Sequence, residues 1–298
     1  MITTTTNQQK QVMTYQVTFE RDAKSFWDAN ANSLLAHESE YNLMIGITLG
    51  IISAERVWGE LSCFTVRHGS EIVGQAMHTG GDKPLILTRM STGAVDALVD
   101  ATIENNFFPE RVSGPAETAE YCASVFATRR GAKAHIFQRQ GIYELKEVIW
   151  PTPDGGKLIG GTAQQRELTL EWAEHFVREC FPEEAEPKAL AEDMVKNRLG
   201  AGHVYFWQTA EGDIVSMAGR NRESPNTATI SWVYTPPEKR GRGYARSVVA
   251  HLSQLWLDRG KKACNLFTNL ANPSSNKAYV SVGYEQLLEA RIYSITKN

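Results

Sequence analysis

Between Ile230 and Arg259 the chain leaves little choice of local structure. The run Ile230-Ser231-Trp232-Val233-Tyr234-Thr235 is rich in β-branched and aromatic residues and reads as a strand. Pro236 and Pro237, which have no amide hydrogen to donate, stop it. After Arg240-Gly241-Arg242-Gly243-Tyr244-Ala245, apolar residues fall at Ala245, Val248, Val249, Leu252, Leu255 and Trp256, the spacing of a helix with one buried face, and Gly260 ends it. A strand that turns through glycines into a helix N-terminus presents unpaired amides and the positive end of the helix dipole to an anion. From Lys239 to Lys262 there are seven cations and one anion, Asp258, so the expected ligand is a compact polyanion.

Two common phosphate sites do not fit. A dinucleotide fingerprint would need a third glycine where Arg246 stands, and no GxxxxGK followed by Ser or Thr occurs. The pattern present is RxxGxA, Arg240 to Ala245. Downstream, after the strand-like Asn265 to Asn269, come Asn272-Pro273-Ser274-Ser275, Tyr279 and Gly283-Tyr284, which spell NxxSxxxYxxxGY. Together the two motifs resemble those of the GCN5-related N-acetyltransferase superfamily.

The resemblance implies acetyl-CoA as cosubstrate and no metal. It assigns Arg240, Gly241, Arg242, Gly243, Tyr244, Ala245 and Arg246 to the pyrophosphate, and Val233, Tyr234 and Thr235 to cofactor contact, mostly through main chain. It places Asn272 and Ser275 on the cofactor and makes Tyr279 the acid that protonates the departing thiolate. Each has a simpler alternative: Asn272 is also a good helix N-cap with Pro273 in the first turn, and Tyr279 a good core aromatic. Acetyl transfer needs amides to hold a tetrahedral oxyanion and a tyrosine still protonated near neutral pH. The family's strand glutamate, the usual base, is missing, because Thr227 to Thr235 contains no carboxylate. Glu174, His175, His203 and Glu223 are the candidates elsewhere, each equally readable as a solvated surface group.

A chain of 298 residues has length for two domains, and Pro151 to Gly161, with two prolines and four glycines, is where they would join. Elements on each side read in one order: two helical segments, then strands joined by a glycine turn, then further helices and strands. Ile72, Val73 and Ala76 echo Ile214, Val215 and Ala218 at an offset of 142. The expected fold class is therefore α/β with a mixed sheet flanked by helices, as two tandem acetyltransferase-like domains. The expected division is a disordered tail at 1–13, a domain at 14–150, a linker at 151–156 and a catalytic domain at 157–298. The first domain reads as degenerate. Its counterpart of the phosphate loop, Arg89 to Val95, has one glycine, and the helix opened by Gly114-Pro115 carries Tyr121 too early for the acid's place. After Gly283-Tyr284 only one strand, about Gln286 to Ile295, remains where the family has two. A strand from the linker or the first half is expected to complete that sheet.

Composition narrows the partners. The net charge is −3, without a long basic arm, which argues against nucleic acid. The longest apolar stretch, Leu43 to Ala54, is too short to cross a bilayer, so no membrane partner is expected. Cys63, Cys122, Cys180 and Cys264 are widely spaced, as in reduced thiols of a cytoplasmic protein rather than a zinc site. The leading reading is an N-acetyltransferase acting on a small-molecule or amino-acid-like amine. The alternatives are a CoA-binding sensor lacking activity and an acyltransferase of broader acyl-CoA range. Oligomeric state is not readable from the sequence.

Overall fold

The structure, a computed structural model, describes residues 14–54 and 59–297; the tail expected at 1–13 lies outside them. In chain order, β1 (Tyr15–Glu20), α1 (Ala23–Leu35) and α2 (Asn42–Ile52) precede β2 (Ser62–His68), β3 (Glu71–His78) and β4 (Leu85–Leu87). Then come α3 (Thr92–Glu104), β5 (Arg111–Pro115), α4 (Ala116–Arg130) and β6 (Ala132–Leu145). After the Pro/Gly-rich stretch follow β7 (Lys157–Gly160), α5 (Arg166–Cys180), α6 (Pro187–Arg198), β8 (Val204–Gln208), β9 (Ile214–Glu223) and β10 (Thr227–Tyr234). The chain closes with α7 (Tyr244–Asp258), β11 (Ala263–Asn269), α8 (Pro273–Val282) and β12 (Glu285–Lys297). This is the expected mixed α/β architecture, with helices flanking mixed sheet.

β1 and β7 are additions to the sequence reading. Each is short, and pairing sustains it: Tyr15–Glu20 lies antiparallel to His68–Cys63, and Lys157–Gly160 antiparallel to Gln208–Tyr205. The second helical segment of the first half is α2, which ends at Ile52, and 55–58 lie outside the described residues.

By contact the chain forms two compact units that interleave in sequence. Of the described residues, one comprises those up to Ser33, those between Ile51 and Phe137 and those from Arg291 onward; the other comprises Leu34–Gly50 and Gln138–Ala290. In the first, strands run β1-β2-β3-β4-β5, and the Arg291–Lys297 part of β12 adds Tyr293 and Ile295 to the core. That core packs Phe64, Val66, Leu85 and Leu87 against Val95 and Leu98 of α3 and Cys122 and Phe126 of α4.

In the second unit the order is β6-β11-β10-β9-β8-β7. Ala228, Ile230, Cys264 and Leu266 pack on one face against Val248, Val249, Leu252 and Trp256 of α7. Val204, Phe206, Met217, Trp232 and Tyr234 meet Trp172 and Ala173 of α5 and Ala191 and Val195 of α6 on the other. The missing strand is β6, whose residues Leu145 to Gln140 pair antiparallel with Cys264 to Asn269 of β11. The expected linker is tethered, since Asp154 accepts hydrogen bonds from Trp207 Nε1 and Ser247 Oγ, both at 3.0 Å.

Removing β6 would leave the β11 edge open, a template for aggregation. A fragment consisting of 157–298 alone is expected to be insoluble or to unfold without a cooperative transition. A soluble fragment with a sharp thermal transition would contradict the supporting role of residues 34–50 and 138–145.

Candidate functional site

The site begins where two parallel strands separate. β10 and β11 pair at Thr227–Ala263, Ala228–Cys264 and Thr229–Asn265, and there the ladder ends, although β10 continues to Tyr234 and β11 to Asn269. A bulge re-aims the free part of β10. Between Ser231 and Tyr234 the register against β9 slips by one residue, and Trp232 adopts φ 58°, rare for a bulky side chain. Trp232 is nonetheless buried, its ring lying 4.5 Å from the Arg198 guanidinium carbon at the end of α6. One residue earlier, Ser231 Oγ is buried with no hydrogen-bond partner among the described residues.

Past Tyr234 the chain is braced from within. Ser216 Oγ donates to Tyr234 O at 3.1 Å and lies 2.9 Å from Thr235 Oγ1. Arg240 donates Nε to Thr235 O at 2.7 Å and Nη2 to Glu179 at 2.7 and 2.9 Å, so its guanidinium folds the loop back on the strand end. Gly241 and Gly243 have φ 80° and 87°, the left-handed region that glycine enters at low cost, and Gly243 is the N-cap of α7. Among the described residues no acceptor is found for the amides of Gly241, Arg242, Gly243, Tyr244 and Ala245. Arg246 turns back over them: a Cβ on Gly243 would lie 3.0 Å from its Nη2. Neither Arg242 nor Arg246 is in an ion pair among the described residues, whereas Arg240 and Lys261 are. The sequence-expected loop is therefore a concentration of free amides and guanidinium charge.

The α8 residues follow. Asn272 caps this helix, accepting from Ser275 N at 3.1 Å through Oδ1, while Pro273 occupies the first turn. The cap uses Oδ1 alone, and among the described residues no acceptor is found for Asn272 Nδ2. Tyr279 packs against the α7 core and meets Tyr284 edge-on, with centroids 6.2 Å apart at 68°. Burial pushes its phenol well above the usual value near 10, and the Cys180 thiol is close enough to add to the shift. A tyrosine so placed stays protonated and can serve as an acid.

The four candidate bases separate. Glu174 pairs with Arg178 at 2.7 Å. Glu223 pairs with Arg220 at 2.6 Å and Lys261 at 2.8 Å. It lies opposite Ala228, at the start of β10 rather than at its parted end. Burial opposes its charge, but the two cations hold its carboxyl below the usual carboxylate range. His203 contacts the Arg220 guanidinium. His175 meets the end of β10, with Nδ1 3.3 Å from Tyr234 Oη. The bulge, the unpartnered Ser231 hydroxyl and the Glu179–Arg240 pair were not read from the sequence, since a β-branched and aromatic run shows no mark of where a strand will kink.

Among the described residues no cluster of His, Cys, Asp and Glu is arranged to hold a metal, and no helix is long and apolar enough to cross a membrane. A family model described as FR47-like protein matches residues 209–293. No curated protein matches the chain. Among solved structures, it is similar to a Drosophila protein, with a TM-score of 0.61 at 11% identity over 93% of this chain and 98% of the other. It is also similar to an acetyltransferase of the GNAT family from Colwellia psychrerythraea, with a TM-score of 0.56 at 12% identity over 95% and 100% of the two chains. A GCN5-related N-acetyltransferase from Kribbella flavida aligns with a TM-score of 0.51 at 14% identity over 84% and 92%.

The buried acids give a pH dependence. Burial raises Tyr279 and Tyr284 above the ordinary tyrosine value of 10, and Cys63 and Cys264 from 9 to about 12. Above those ordinary values the unfolded chain releases protons that the folded chain retains, so stability is full below about pH 9 and falls as pH rises. Urea midpoints measured from about pH 8 to 11 are expected to drop progressively, and Tyr279→Phe to flatten the part of the fall above about pH 10.

Proposed function

We propose that this chain, which has the GCN5-related N-acetyltransferase fold, is an acetyl-CoA-dependent N-acetyltransferase for a small, amine-bearing acceptor. Its first unit is then a degenerate copy of that fold without a phosphate loop. The observation that carries the reading is the run of unpartnered amides from Gly241 to Ala245 beside the parted strands. Free amides at a helix N-terminus suit a pyrophosphate, and the unpaired edges of β10 and β11 suit the amide groups of a pantetheine arm lying between them as an added strand.

In this reading Val233, Tyr234 and Thr235 meet the arm through main chain, and Arg242 and Arg246 supply charge from Arg240–Arg246. Arg240 acts indirectly, since its side chain braces the loop. Asn272 can donate Nδ2 to a pantetheine carbonyl while its Oδ1 caps α8; Ser275 lies in the first turn of that helix. The acceptor nitrogen attacks the thioester carbonyl, forming a C–N bond. The oxyanion is held by amides at the bulge, and the C–S bond breaks as Tyr279 gives its proton to the thiolate. His175 is the side chain best placed to take the ammonium proton through Tyr234, and no carboxylate on β10 competes for that role.

Calorimetry is expected to show saturable binding of acetyl-CoA, weakened about tenfold or more by Gly243→Val, which puts a branched side chain at φ 87° beside Arg246. Thiol release with a panel of small amines is expected to fall about 100-fold in Tyr279→Phe while acetyl-CoA binding persists. Binding without turnover on any amine would favour a CoA-responsive sensor, and equal turnover of propionyl-CoA would widen the acyl range.

A further inference from the structure

We infer that Asn42 and Glu38, contributed by the N-terminal part of the chain, are positioning residues that set the opening of the strand cleft; the link to acetyl-CoA rests on the function proposed above. The segment Leu34–Gly50 belongs to the same compact unit as β9, β10 and β11. The Glu38 carboxylate accepts hydrogen bonds from Asn226 N and Nδ2, both at 2.7 Å, from Thr227 N at 3.1 Å and from Ser224 Oγ. It thus holds the β9–β10 turn.

A continuous polar relay runs on from there. Ser224 Oγ lies 2.7 Å from Thr227 Oγ1, which accepts from Asn265 Nδ2 at 2.9 Å. Asn265 Oδ1 accepts from Thr229 Oγ1 at 2.7 Å, and Asn42 Oδ1 stands 3.2 Å from the same hydroxyl. Asn42 also takes a hydrogen bond from Arg222 Nη2 at 3.2 Å and donates Nδ2 to Ser39 O at 2.7 Å. All six side chains from Glu38 to Asn42 along this relay are buried, Asn265 fully.

The relay ends on the vertex of the cleft. Thr229 and Asn265 form the last paired rung before β10 and β11 part. An apolar contact there would tolerate sliding, whereas a satisfied buried network admits one arrangement and penalises any displacement that breaks it. The leverage is large. A tilt of about 5° at the rung moves a strand end roughly 15 Å away by about 1 Å, and a misplacement of that size in a reactive site costs on the order of 100-fold.

The test uses the full chain. Thr229→Val keeps the branched shape and removes the relay hydroxyl, Thr229→Ser keeps the hydroxyl, and Asn42→Leu removes the far end. Ser39→Ala is the control, because it deletes a bond of similar kind, from Ser39 Oγ to Glu144 Oε1 at 2.7 Å, that ties the same segment to the β6 residue opposite Asn265 and is not one of the relay's own hydrogen bonds. Acetyl-CoA affinity is expected to fall about tenfold in Thr229→Val and Asn42→Leu, to recover in Thr229→Ser, and to be unchanged in Ser39→Ala even where thermal stability drops. Amide hydrogen exchange without ligand is expected to quicken at Ile230–Val233 and Leu266–Asn269 in Thr229→Val alone of the two Thr229 variants. Unaltered exchange in Thr229→Val, or an affinity loss in Ser39→Ala that matches its stability loss, would overturn the assignment. Failure of the unsubstituted protein to bind acetyl-CoA would defeat the proposed function instead, and the exchange measurement would still decide the role of the rung.

Discussion

The whole site depends on one interrupted ladder. A parallel pair of strands that stayed joined to its ends would satisfy its own amides and leave nowhere for a ligand to lie. Here pairing stops at Thr229–Asn265, and three residues further on the backbone of β10 turns left-handed at Trp232, where its register against β9 shifts. Such a departure is unfavourable on its own, because buried unpaired amides cost on the order of 1–3 kcal/mol each and a bulky residue at positive φ adds strain. It persists because neighbours over-determine it. Arg198 stacks on Trp232, the α5 and α6 side chains bury it, and Ser216 ties down Tyr234 and Thr235.

The same logic explains the loop beyond. Arg240 fastens its own turn to Thr235 and Glu179, so Gly241 and Gly243 can hold left-handed conformations with their amides outward. Charge and amides are held in place by the fold itself, an arrangement that would lower the ordering cost of binding an anion. Tyr279, on α8, is raised by burial and keeps its proton.

The second unit does not build this cleft from consecutive sequence. β11 would be an open edge without Gln140–Leu145 of β6, and the rung at the vertex would lack its outer anchor without Asn42. A strand and a helix from before the Pro/Gly-rich stretch are therefore part of the unit that carries the motifs. Their contribution is geometric, since neither brings a residue of the RxxGxA or NxxSxxxYxxxGY pattern.

Local patterns were legible where a few adjacent residues decide the outcome. The Pro-Pro stop, the glycine turn, the apolar spacing of α7 and the Asn-Pro start of α8 each announce themselves, because capping, φ restriction and helical periodicity act over one or two turns. The shortage of a C-terminal strand was also visible as a count. Its replacement was narrowed to the linker or the first half but not to β6 itself, and β1, β7, the bulge at Trp232 and the choice of His175 over Glu223 as the group beside Tyr234 left no mark. Those outcomes rest on pairings between residues tens to nearly two hundred positions apart, such as Glu38 with Asn226 and Arg240 with Glu179. The sequence by itself determined which residue types could bind an anion and donate a proton. Only the tertiary structure decided where the strands part, because backbone hydrogen bonds are available to any residue and their partners are selected by packing across the whole unit.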